Sequence, residues 1–139
     1  MQKYIHYGAD SFNPEKFEPI VNSFRFSKPN GGFWASRIDA KYGWRDWCED
    51  NEFNLDRLDR SFTFTLKEGS RVYEIRSVAD AFKLPFNSPS KFFAYIDFEK
   101  CLEEGIDAIE VTDIDFVYET LYGWDCDSIL ILNPEIIVV

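Results

Sequence analysis

The only histidine of the chain, His6, stands in the segment Ile5-His6-Tyr7-Gly8-Ala9. Some two dozen residues on comes Gly31-Gly32-Phe33-Trp34-Ala35-Ser36, and far along the chain Asp125-Cys126-Asp127-Ser128 runs into the apolar stretch Ile129-Leu130-Ile131-Leu132. These are residue types that can hold a hydroxyl, stack on a ring and stabilise a growing positive charge. Other chemistries are poorly served. The sequence has no G-x-x-x-x-G-K-[ST] loop, no G-x-G-x-x-G and no H-E-x-x-H. Ser11, Ser36 and Ser128 lack the G-x-S-x-G context of an activated serine. One histidine cannot furnish a two-histidine metal site, and Cys48, Cys101 and Cys126 match neither zinc-ligand spacing nor a disulfide framework. No metal is expected, and the thiols read as reduced and either buried or half-buried.

Taken in order, the three segments resemble the ADP-ribosyltransferase superfamily, in particular its diphtheria-toxin-like branch, which includes the poly(ADP-ribose) polymerases. His6-Tyr7-Gly8 is similar to that branch's first-strand histidine and small-residue turn. Gly32-Phe33-Trp34-Ala35-Ser36 is similar to its glycine and aromatic-rich second strand. Asp127-Ser128-Ile129-Leu130-Ile131 looks like its acid opening a closing apolar strand, and Gly105-Ile106-Asp107-Ala108-Ile109-Glu110-Val111 like its penultimate strand. The resemblance implies NAD as co-substrate, with cleavage of the nicotinamide–ribose bond and transfer of ADP-ribose to an acceptor or to water. It implies that His6 anchors a ribose, that Trp34 stacks on nicotinamide, that Asp127 is the catalytic acid, and that Tyr7, Gly8 and Ser36 line the pocket. Two departures stand out. Asp127 is one methylene shorter than the usual Glu, and Trp34 replaces a usual Tyr. Each residue also has a plainer reading: His6 and Trp34 as core or rim residues, and Asp127 as a turn or capping acid with Asp125 its rival. Arg37 and Lys28 flank the expected pocket, where they can meet a pyrophosphate or simply lie on the surface.

The elements that must position these residues follow from local pattern. Residues 3–7 read as a strand reaching Gly8, Pro14 starts a helix at its first position, and the turn at 28–32 leads into a strand at 33–36. Trp44, Trp47 and Cys48 recur at helical spacing, predicting an amphipathic helix over 43–52 with those three on one buried face. Strict alternation predicts strands at 62–66 and 71–75. Short helices follow at 78–82 and 98–104, the second stopped by Gly105, then strands at 106–111 and 129–132. Many short strands with few helices predict a single α+β domain over 1–139. With the resemblance, the expected architecture is two twisted, mostly antiparallel sheets around an NAD cleft.

Composition bounds the partners. Fifteen basic against twenty-five acidic residues leave a net charge of −10, which disfavours duplex nucleic acid but not free nucleotides in a local pocket. A protein acceptor is therefore expected over nucleic acid. The competing expectation is an inactive acidic protein that binds a basic protein partner. No apolar run is long enough to span a membrane and the N-terminal residues lack a signal peptide's apolar stretch, so a cytoplasmic location is expected. Such a domain suits a bacterial or phage effector.

Overall fold

The structure is a computed structural model that describes residues 1–23, 29–90, 93–117 and 124–139. Its strands are β1 (Tyr4–Tyr7), β2 (Phe33–Arg37), β3 (Ser61–Leu66), β4 (Val72–Ile75), β5 (Phe86–Ser90), β6 (Phe93–Ile96), β7 (Ala108–Val111), β8 (Ser128–Ile131) and β9 (Ile137–Val138). Its helices are α1 (Trp44–Asn51), α2 (Val78–Phe82) and α3 (Phe98–Glu103), with short 3₁₀ turns between. The fold is α+β. The described residues form two unequal sheets: seven strands in the order β4-β7-β8-β2-β1-β3-β9, and a separate β5–β6 ribbon. All neighbours pair antiparallel except β4 and β7, which run parallel.

β7 and β8 are buried along their whole length because each has a neighbour on both sides and a packed layer on both faces. Side chains alternate between those faces. Ile109, Val111 and Leu130 join Ile75, Ala81, Phe98 and Trp124 in one core under α2 and α3. Ala108, Ile129 and Ile131 join Tyr4, Ala35, Phe62 and Phe64 in the other. β3 is the cleanest case: Ser61 and Thr63 are exposed, Phe62 and Phe64 buried.

The alternating and apolar segments form where expected, within one or two residues. The helix expected from Pro14 is a 3₁₀ turn of three residues, Pro14–Lys16, capped by Asn13. Pro19 holds the preceding residue out of helical geometry, so the turn cannot propagate. Gly31 (φ +73°) and Gly32 (φ +73°) open β2. A Cβ on Gly31 would lie 2.1 Å from the Pro19 carbonyl oxygen, so only glycine permits that approach. Lys28 lies outside the described residues. No described helix is long and apolar enough to cross a membrane.

Candidate functional site

β1 and β2 pair only at Tyr4–Arg37 and Ile5–Ser36, although β1 continues beside β3 through His6–Phe62 and Tyr7–Ser61. Beyond Ile5 the first two strands part. The His6 ring stands at the divergence, its Nδ1–H donating to the Trp34 carbonyl at 2.7 Å. That bond fixes the tautomer and leaves Nε2 with no hydrogen-bond partner among the described residues. The ring stacks on Phe33 at 4.3 Å. Burial, with the positive charge of Arg57 nearby, holds the imidazole pKa below its usual 6.5, against the opposing pull of the Trp34 carbonyl. His6 is therefore a neutral imidazole at pH 7.

The parting strands open a cavity of about 310 Å³, the low end of the range for small-molecule sites. His6, Tyr7, Gly8, Trp34 and Ser36 all line it. Gly8 takes φ +101°, which turns the chain out of β1, and its N–H donates to the Arg60 carbonyl at 2.8 Å. The Tyr7 hydroxyl lies by the Arg45 guanidinium, which also grips Glu49 at 2.8 Å. Trp34 meets the buried Trp124 edge to face at 4.7 Å. Ser36 Oγ is committed twice, donating to the Asp127 carbonyl at 2.8 Å and accepting from the Trp44 N–H at 3.1 Å. It ties β2, α1 and the approach to β8 together. As a doubly bonded hydroxyl it shapes the wall rather than attacking anything.

Asp127 is not brought into this cavity. Its carboxylate accepts from the Ile114 N–H at 2.8 Å and the Tyr42 N–H at 3.3 Å, and it faces a second cleft of about 120 Å³. Burial raises its pKa, and those two amides pull the other way. The backbone bends at Cys126 and Asp127, and Asp125, two residues earlier, lines the main cavity instead. Asp125 is half-buried and makes no hydrogen bond or ion pair among the described residues.

Arg37, expected beside the pocket, is likewise elsewhere. It grips the buried Glu110 through Nε and a terminal nitrogen, both at 2.8 Å, and reaches Glu74 at 3.1 Å. Those carboxylates hold it on the opposite side of β2 from Trp34 and Ser36, and they take three of its five N–H donors.

Four wall residues, Trp44, Asn54, Arg57 and the Trp124 that meets Trp34, lay outside the sequence reading of the site. Trp44 stacks on Trp47 at 5.2 Å and lines the cavity, so of the expected buried helix face only Cys48 is fully enclosed. Asn54 and Arg57 belong to the segment after α1, where Glu52 and Asn54 both take φ of 50° and turn the chain back over the mouth. A sequence of alternating charge and leucine carries no mark of that return. No disulfide joins the three cysteines, all buried. Burial pushes the Cys101 thiol up to about 12. No protein-family model matches the chain, and no curated protein or solved structure matches it either.

Proposed function

We propose that the cavity binds NAD and cleaves its nicotinamide–ribose bond, passing ADP-ribose to an acceptor or to water, as in the ADP-ribosyltransferases. One observation carries the reading. Five residues drawn from two distant segments, His6, Tyr7, Gly8, Trp34 and Ser36, line a single cavity that also receives Asp125, a carboxylate with no partner among the described residues. A cavity near 310 Å³ suits the nicotinamide–ribose half, with the remainder of the dinucleotide at the mouth.

The roles follow from that wall. The indoles of Trp34 and Trp44 offer apolar faces for the pyridinium ring. The Nε2 lone pair of neutral His6 accepts a hydrogen bond from a ribose hydroxyl, its tautomer held by the Trp34 carbonyl. As the C–N bond breaks, its electron pair goes to the ring nitrogen and nicotinamide leaves neutral. The sugar carbon becomes oxocarbenium-like, as in glycoside cleavage. Asp125 supplies the negative charge that this developing cation needs. It takes the part first expected of Asp127, whose carboxylate is committed to two backbone amides.

The test is to incubate purified protein with NAD, following nicotinamide by chromatography and the protein by intact mass. Release of nicotinamide that Asp125→Asn abolishes supports the reading, and a mass increase of one ADP-ribose identifies transfer over hydrolysis. If wild-type protein neither binds nor consumes NAD, the enzyme reading falls, leaving an acidic protein that binds a basic partner.

A further inference from the structure

We infer that Arg57 is an anion anchor at the cavity mouth, and that the ligand carries a phosphate or diphosphate next to the group seated inside. This deepens the NAD reading and rests on it for the ligand's identity, but the observations behind it are separate.

The first is a comparison among arginines. Arg37, Arg45, Arg60 and Arg76 each pair with a carboxylate, and Arg71 donates to the Glu104 carbonyl. Arg57 makes no side-chain hydrogen bond or ion pair among the described residues. This holds although Asp56 and Asp59 flank it and the chain has twenty-five acids to fifteen bases. A guanidinium without a partner among the described residues, amid such a surplus of carboxylate, has five donors to offer a ligand.

The second is its placement. Backbone bonds on both sides fix the 3₁₀ turn that carries it, Arg57 N–H to the Asn54 carbonyl and Arg60 N–H to the Arg57 carbonyl. The side chain lies against Gly8, where an added Cβ would sit 3.6 Å from Nε, and its charge adds to the burial that lowers the His6 imidazole. The third is the relation to Asp125. Both groups line one cavity, yet no ion pair joins them. A wall that presents one separated charge of each sign fits a ligand that is cationic at one end and anionic at the other. A pyridinium riboside with a phosphate on its sugar is such a ligand. Guanidinium–phosphate recognition is bidentate and charge-assisted, which makes arginine well suited to the task.

The experiment is calorimetric titration of wild type, Arg57→Gln and Arg57→Lys with NAD, nicotinamide riboside and inorganic pyrophosphate, with melting temperature as the folding control. Because the Arg57 side chain is exposed, both variants should melt within a degree or two of wild type. NAD should bind wild type on the order of 10–100-fold more tightly than the phosphate-free riboside. Arg57→Gln should erase most of that gap without weakening the riboside, and Arg57→Lys should restore part of it. If NAD binds wild type and Arg57→Gln equally, the anchor is refuted while the NAD reading stands. If pyrophosphate binds in an Arg57-dependent way but NAD neither binds nor reacts, the anchor stands and the NAD reading falls. If no probe binds, the anchor is refuted along with the NAD reading.

Discussion

Two clefts flank the middle of the large sheet, and each is lined by at least one carboxylate and an arginine. In the smaller, Arg37 holds Glu110 and Glu74, and Asp127 takes the Ile114 and Tyr42 amides. In the larger, Arg57 and Asp125 have no such partners among the described residues, and His6 keeps one ring nitrogen unused. The same residue types serve opposite ends. A buried charge with all its hydrogen bonds made inside the protein holds strands and loops together, whereas a charge left open at a cavity wall awaits a bond from outside. Glu110 and Asp127 are 2% and 5% exposed, so the distinction follows the bonds each group makes, along with its depth.

Substitutions should separate the two clefts by what they damage. The largest effect is expected from Asp125→Asn, which should lower NAD cleavage on the order of 10²–10³-fold while NAD affinity stays within about tenfold, since the charge matters most as the bond breaks. Parallel loss of binding and rate would make Asp125 a ground-state contact instead. Next is Arg37→Met, which strands Glu110 in the interior and should cost about 3 kcal/mol of stability by denaturant titration. Turnover per folded molecule should be unchanged, and adding Glu110→Leu should recover much of the loss.

Asp127→Asn comes third. An amide oxygen can accept from Ile114 or Tyr42, but its NH₂ meets the other N–H head on, so about 1–3 kcal/mol should be lost while turnover holds. Normal stability with dead catalysis would return Asp127 to the catalytic role and overturn the contrast between the clefts.

The smallest effect is read on His6, whose ring gives the only imidazole signal in an NMR titration. Its folded pKa should lie below 6.5, and Arg57→Gln should move it up. Because the folded value is the depressed one, stability is fully present above pH 6.5. It declines as the pH falls through the folded pKa, when the unfolded chain takes a proton the folded ring resists. His6→Gln should flatten that slope.

The strands were legible where burial is one-sided or total. Phe62 and Phe64 alternate with Ser61 and Thr63, and Ile129-Leu130-Ile131 can only be interior, so pattern alone located β3 and β8. α2 was legible as the run 78–82 ended before Pro85, and its cap, the Ser77 side chain accepting the Asp80 N–H, emerges only in the structure. The β5–β6 ribbon was not, because Asn87, Ser88 and Pro89 are turn formers that tertiary pairing overrides here. Within the site, residues of β1 and β2 were reachable as two short runs, His6-Tyr7-Gly8 and Trp34-Ala35-Ser36, which carry the resemblance whole, and both runs line the cavity. Asp125 and Asp127 were not separable, since the bend between them breaks the period of two. Arg57 depended on two left-handed residues, Glu52 and Asn54, returning the chain to the mouth, a path that no local pattern encodes.

β8 sits between β7 and β2, with the Ser36 hydroxyl closing onto the Asp127 carbonyl across 91 residues of sequence. Until that strand inserts, β2-β1-β3 and β4-β7 are two fragments with open edges and no common sheet. A chain emerging from the ribosome thus carries its histidine and aromatic wall early, and gains Asp125 and the far wall only when the keystone strand arrives. Such long-range closure is slow compared with local pairing. Any activity the cavity supports is therefore withheld from nascent and truncated chains, a timing control inherent in the order of the strands.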